Sequence, residues 1–123
     1  MTYVVDHTGA AAWLGLAGRW PADVARDGGS MVNELVDAVA DLSWLIRQPA
    51  PAAHTRQDIG LVCNAFELFP ASGLWDRALA LRNQLDAIEP ALSLALAELL
   101  DLPLITLDAR LREHFERRVV WAG

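Results

Sequence analysis

A chain of 123 residues, 54% of them hydrophobic, is one domain's worth and can bury roughly two-thirds of its unfolded surface around a single core. All ten basic residues are arginine against sixteen acids, a net charge of −6, which excludes the broad positive footprint of a high-affinity duplex binder and leaves local or metal-bridged nucleic-acid contact. Charges break every apolar stretch well short of the ~20 residues that span a bilayer, no basic segment with a cleavage site opens the chain, and the lone Cys63 can form no internal disulfide, so a cytoplasmic protein without membrane contact or structural zinc is expected.

In chain order, Tyr3-Val4-Val5 predicts a short strand ending at Asp6, and Thr8 is placed to cap a helix that Gly18 stops. Pro21 to Arg26 predicts a short helix and Asp27-Gly28-Gly29 a turn. Ser30 then caps a long helix to Arg47, with Met31, Leu35, Ala38, Val39, Leu42 and Ile46 at helical spacing and Ser30, Glu34, Asp37 and Asp41 as a polar stripe. After the Q-P-A-P-A-A loop at 48–53 come a helix from His54 to Asn64, a short strand in A-F-E-L-F, and an amphipathic helix from Leu74 to Leu85. Pro90 to Leu100 predicts a helix buried on two sides. Leu102 to Leu107 follows as a buried strand, Asp108 to Phe115 as a helix, and Val119 to Trp121 as a last strand. Strands alternating with helices predict an α/β domain whose parallel sheet is covered on both faces. Five tryptophans are many for so small a core; they either fill it or lie in part at an interface with another chain.

In an open parallel sheet, ligands bind at the carboxyl ends of the strands, where the connection order reverses. Asp6 and Asp108 both fall at such ends. Each is also a favoured helix N-cap, a purely structural role. Carboxylates brought close together either hold protons or hold a cation, and with no Cys or His beside them the cation would be hard and oxygen-ligated, Mg²⁺ or Mn²⁺. Such sites carry out phosphoryl chemistry.

The segment A-L-A-E-L-L-D-L-P-L-I-T-L-D-A-R-L (95–111) closely resembles the matching part of PIN domains, the fold of the VapC-type toxins of bacterial toxin–antitoxin pairs. Y-V-V-D-H-T (3–8) resembles their opening strand, and L-W-D-R-A-L-A-L-R (74–82) the helix before A-L-A-E. The resemblance implies a three-layer fold with a small, mainly parallel sheet of four to five strands and helices on both faces. It implies a metal-dependent endoribonuclease that acts as the toxin, using Mg²⁺ or Mn²⁺, with an RNA substrate, a cognate VapB-like antitoxin lying over the acidic crevice, and a homodimer. Carried over residue by residue, it makes Asp6, Glu34 and Asp108 catalytic and metal-binding, with Thr8 the nearby hydroxyl.

At the position of the family's remaining acid this sequence has Pro90. Proline is comfortable only in the first helical turn and pushes the preceding residue out of helical geometry, so Glu89 is expected as the N-cap, from where its longer carboxylate could take over the metal contact. Asp86 and Glu89 would otherwise simply complement the helix dipole. Arg110 and Arg112, beyond Asp108, and Arg77, Arg82, Arg117 and Arg118 could hold phosphates of single-stranded RNA, or form a solvated face pairing with Glu113 and Glu116. The alternative to a nuclease is a PIN-like fold that has lost its acids and acts only by binding a protein or RNA, and Pro90 favours it. V-V-D-H-T-G is also similar to the opening of haloacid dehalogenase-type phosphatases, but His7 and Thr8 leave no second acid there.

Overall fold

A computed structural model of the chain describes residues 3–24, 35–37 and 43–123. The elements are β1 (Tyr3–Val5), α1 (His7–Trp13), β2 (Leu35–Asp37), α2 (Ser43–Ile46), α3 (Ala52–Ala65), β3 (Glu67–Leu68), a 3₁₀ turn (Ala71–Leu74), α4 (Trp75–Leu85), α5 (Ile88–Leu100), β4 (Leu104–Thr106), α6 (Ala109–His114) and β5 (Val119–Trp121). The strands form one sheet in the order β3-β2-β1-β4-β5, parallel throughout.

Side chains alternate across a strand, so neighbouring residues of β1 and β4 enter opposite cores. Val4 and Leu104 pack with Ala78, Leu81 and Leu85 of α4, Leu94 and Leu96 of α5, and Leu111 of α6. Tyr3, Val5 and Ile105 pack on the other face with Ala10 and Trp13 of α1, Trp44 and Leu45 of α2, and Val62 and Ala65 of α3. Helices thus cover both faces of the sheet. The run Pro90–Ala97 of α5 is buried at every position, as its almost unbroken apolar sequence requires. Among the described residues no helix is long and apolar enough to cross a membrane. Trp13 and Trp44 lie in the core, whereas Trp75 is half exposed.

Three local expectations change. The unbroken helix over 30–47 is not formed: Leu35–Asp37 is a strand, and among the described residues of this stretch the helix is Ser43–Ile46. V-N-E-L-V-D-A-V fits a helical period as well as a strand, and β2 is decided by pairing on both sides, Tyr3 with Leu35 and Val36 with Glu67. Residues 21–24 of the expected Pro21–Arg26 helix form a turn, closed by the Val24 amide donating to the Pro21 carbonyl; the others lie outside the described residues. Glu89 is not the N-cap of α5. Ala87, with φ −165° and ψ 151°, occupies that place, so Glu89 and Pro90 are the second and third residues of the first turn. A missing N–H costs nothing there, because the first four helical amides have no partner inside the helix.

The close packing of α1 on β4 depends on Gly9. A Cβ at this residue would collide with the Ile105 carbonyl oxygen and touch Val5 Cγ1, and neither the strand backbone nor the buried valine can give way. Gly9→Ala is therefore expected to destabilise the protein by about 2 kcal/mol, measured as a lower urea midpoint; an unchanged midpoint would mean that α1 can slide on the sheet.

Candidate functional site

The chain leaves β1 for β2 and β3 on one side, then returns to β4 on the other. The order therefore reverses between β1 and β4, and the carboxyl ends of these two strands carry Asp6 and Asp108, where the sequence analysis placed them. Val4 stands level with Leu104, and Val5 with Ile105, which sets Asp6 level with Thr106. On the other side Val36 stands level with Val4, so Asp37 ends β2 one step short of Asp6. Sequence analysis had put Asp37 on a helix.

Asp6 is 2% exposed. Its Oδ1 accepts from the Gly9 amide at 2.8 Å and from Thr8 Oγ1 at 2.7 Å, and its Oδ2 accepts from Thr106 Oγ1 at 2.5 Å. Burial pushes this carboxyl above its ordinary value, against the opposing pull of Thr106, Thr8, Gly9 and the nearby His7. Three donors fill three of the roughly four lone-pair positions of a carboxylate. One remains.

Thr106, fully buried, links the two acids: its Oγ1 donates to Asp6 and accepts from the Asp108 amide at 2.9 Å. Thr8 Oγ1 lies 3.2 Å from Thr106 Oγ1 and accepts from the Leu107 amide at 2.8 Å. Two threonines thus tie the β1 and β4 ends into one hydrogen-bonded unit. The caps also differ from expectation: Asp6, not Thr8, caps α1, and Asp108 caps α6 through the Arg110 amide at 2.9 Å. The structural role weighed for each aspartate is therefore present, without excluding a second one.

Asp108 also holds the Arg110 side chain, with Nε on Oδ1 at 3.1 Å and Nη2 on Oδ2 at 2.9 Å. Burial works against the Asp108 charge, but the Arg110 side chain and amide outweigh it and keep the carboxyl below its usual value. Asp108 raises the Arg110 pKa in turn, with smaller contributions from Asp86 and Glu89.

A cleft of about 620 Å³ opens beside these ends, lined among others by Thr8, Glu89, Pro90, Asp108 and Arg110. Buried Asp6 is not among its lining residues, but its partner Thr8 is. Glu34 lies outside the described residues. Among the described residues no three His, Cys, Asp or Glu side chains come together as a group that could hold a metal. Arg112 lies over the Trp121 ring, 4.6 Å from its centroid, rather than in the cleft. Arg77 grips Glu98 through Nε at 2.6 Å and Nη2 at 3.2 Å, and Arg118 donates to the Ala97 and Leu102 carbonyls and to Asp101. Among the described residues the carboxylate partners of these arginines are thus Glu98, Asp101 and Asp108, not Glu113 and Glu116. Thr106 was missed as a site residue. The only signal for it was a hydroxyl ending a buried apolar strand.

Comparison of the sequence with protein-family models and with curated proteins returns no match.

Proposed function

We propose that this chain is a PIN-like endoribonuclease of the VapC toxin type, which hydrolyses RNA phosphodiester bonds with the help of Mg²⁺ or Mn²⁺. The carrying observation is the junction of Asp6 and Asp108 through Thr106 at the point where strand order reverses, beside a cleft that also contains Glu89. A parallel sheet binds its ligands at this point, and the carboxylates there supply oxygen donors. These suit a hard dication.

In this reading Asp108 holds the cation, Asp6 contributes its remaining lone pair, and Glu89 reaches in from the first turn of α5. Glu34 keeps the metal-binding role that the resemblance implies. When bound, the cation supplies an activated water and offsets charge on the phosphate oxygens. Thr8 and Thr106 keep Asp6 oriented, and Arg110 neutralises Asp108 until the cation takes its place. The reading includes a homodimer and a VapB-like antitoxin covering the cleft, in a cytoplasmic setting.

The test is cleavage of a labelled single-stranded RNA in 5'-to-3' ladder format. We expect cutting in about 1 mM Mn²⁺, abolition by EDTA, and recovery on adding the metal back, at a concentration that reflects weak carboxylate sites. Cutting that survives EDTA would remove the metal site. Absence of cutting, with RNA still bound, would favour the second reading, a protein that acts by binding alone; Pro90 in the acid position and the Arg110 grip on Asp108 are the observations on its side.

A further inference from the structure

Beside its acids, the cleft presents a different chemistry. His7, Trp44 and Arg47 line it together with Asp108 and Glu89. Trp44 is 7% exposed, and its indole Nε1 is the one buried side-chain nitrogen or oxygen among the described residues with no hydrogen-bond partner. An indole N–H can only donate, and leaving a buried donor unmet costs about 1–3 kcal/mol. The indole is held in place all the same: Leu45 beside it is buried, the Trp44 carbonyl accepts from Gln48 Nε2 at 3.3 Å, and the ring lies 6.3 Å from that of His7.

Arg47 follows at the end of α2, is exposed, and pairs with none of the acids in the ion pairs of the described residues. In the same cleft Arg110 is taken up by Asp108. The cleft therefore holds, beside its carboxylates, donors that lack acceptors among the described residues. An anion is the ligand that satisfies those donors, and a cation the carboxylates. A guanidinium with a fixed N–H is a common way to grip phosphate oxygens.

We infer that Trp44 Nε1, the Arg47 guanidinium and the His7 ring form a phosphate-binding subsite that holds the backbone of a single-stranded RNA in the cleft that Asp108 also lines. The inference rests on the nuclease reading for its ligand, but the binding it describes needs no metal. The subsite fixes the register of the strand, and the bond presented to the acids is the one beyond the gripped phosphate.

The experiment measures anisotropy of a fluorescein-labelled single-stranded RNA decamer in EDTA, with the parent protein, Arg47→Gln, Trp44→Phe and the control Arg56→Gln, an exposed arginine of α3. Arg47→Gln and Trp44→Phe are each expected to weaken binding about tenfold, equivalent to about 1.4 kcal/mol, while Arg56→Gln stays within twofold and so accounts for the general charge change. The indole resonance that disappears in Trp44→Phe is expected to move downfield as RNA is added to the parent. Failure of the parent to bind, or binding within twofold of the parent in either Arg47→Gln or Trp44→Phe, overturns the subsite. RNA that is bound through these residues but never cut in Mn²⁺ removes the nuclease and keeps the subsite. RNA cut by the parent and both variants at the same KM removes the subsite and keeps the nuclease.

Discussion

Asp6→Asn is expected to lower RNA cleavage at least a hundredfold and, at pH 7, to make the protein harder to unfold. The two effects share a cause. The carboxyl is buried, and burial outweighs the hydrogen bonds from Thr106, Thr8 and Gly9, so its pKa in the folded state lies above the ordinary 3.8. A folded state that binds the proton more tightly has its full contribution below pH 3.8 and loses it as pH rises through the folded value, with a slope of at most about 1.4 kcal/mol per pH unit for one proton. Toward neutral pH the buried carboxyl is therefore a cost to stability relative to an uncharged group of its shape. Asparagine has the same shape and no charge.

Its hydrogen bonds can also be met. The amide would face Thr106 Oγ1, which has a lone pair beyond the one used by the Asp108 amide, and the Thr106 proton would turn to Thr8 Oγ1, 3.2 Å away. Thr8 would continue to donate to the amide oxygen. Urea midpoints of parent and variant between pH 4 and 8 should then diverge as pH rises. A variant less stable at every pH would show that the threonine network, not burial, sets the energy of this site, and unchanged cleavage would remove Asp6 from the reaction.

Asp108 carries the opposite sign. Held below 3.8 by Arg110, it contributes stability that is present above that value and is lost as the solution is acidified through the folded pKa. Its pair with Arg110 is partly exposed, so its contribution is small. The two aspartates sit at corresponding strand ends and differ because one is enclosed by hydroxyls and the other faces an arginine in water.

These positions were legible where the signal was local. An apolar run ending in an acid marks β1 and β4, so both aspartates could be placed from a few neighbouring residues. The helices from α3 to α6 follow from periodicity and from the prolines and glycines between them. What escaped was decided across the chain. β2 pairs with β1 and β3, and nothing inside V-N-E-L-V-D-A-V distinguishes that from a helix. Thr106 meets Asp6 across 100 residues, and Trp44 and His7 become neighbours only when α2 folds onto the sheet. Glu89 was misplaced by two positions because proline was read as setting the cap, whereas the first turn absorbs it two residues deeper, with Ala87 extended before it.

Pro90 carries the other large expected effect. It is buried in the first turn of α5 and lines the cleft with Asp108 and Glu89. Pro90→Asp puts a carboxylate there, close to the positive end of the helix, where an acid is favoured by the dipole. Without metal, the new charge is partly buried near Glu89 and Asp108, and the variant should lose about 1–3 kcal/mol. With Mn²⁺ the balance reverses: an additional carboxylate ligand should tighten the cation at least about tenfold, and binding to the folded state alone raises stability as the free metal rises above its Kd. Thermal unfolding of the variant should therefore shift upward with Mn²⁺ far more steeply than that of the parent, and cleavage should rise with it at low metal. If Mn²⁺ moves the variant no more than the parent, the first turn of α5 does not face a cation site, and the cleft serves binding rather than hydrolysis. If the parent already responds as strongly, Glu89 supplies the contact that an acid at position 90 would make, and Glu89→Gln should abolish that response.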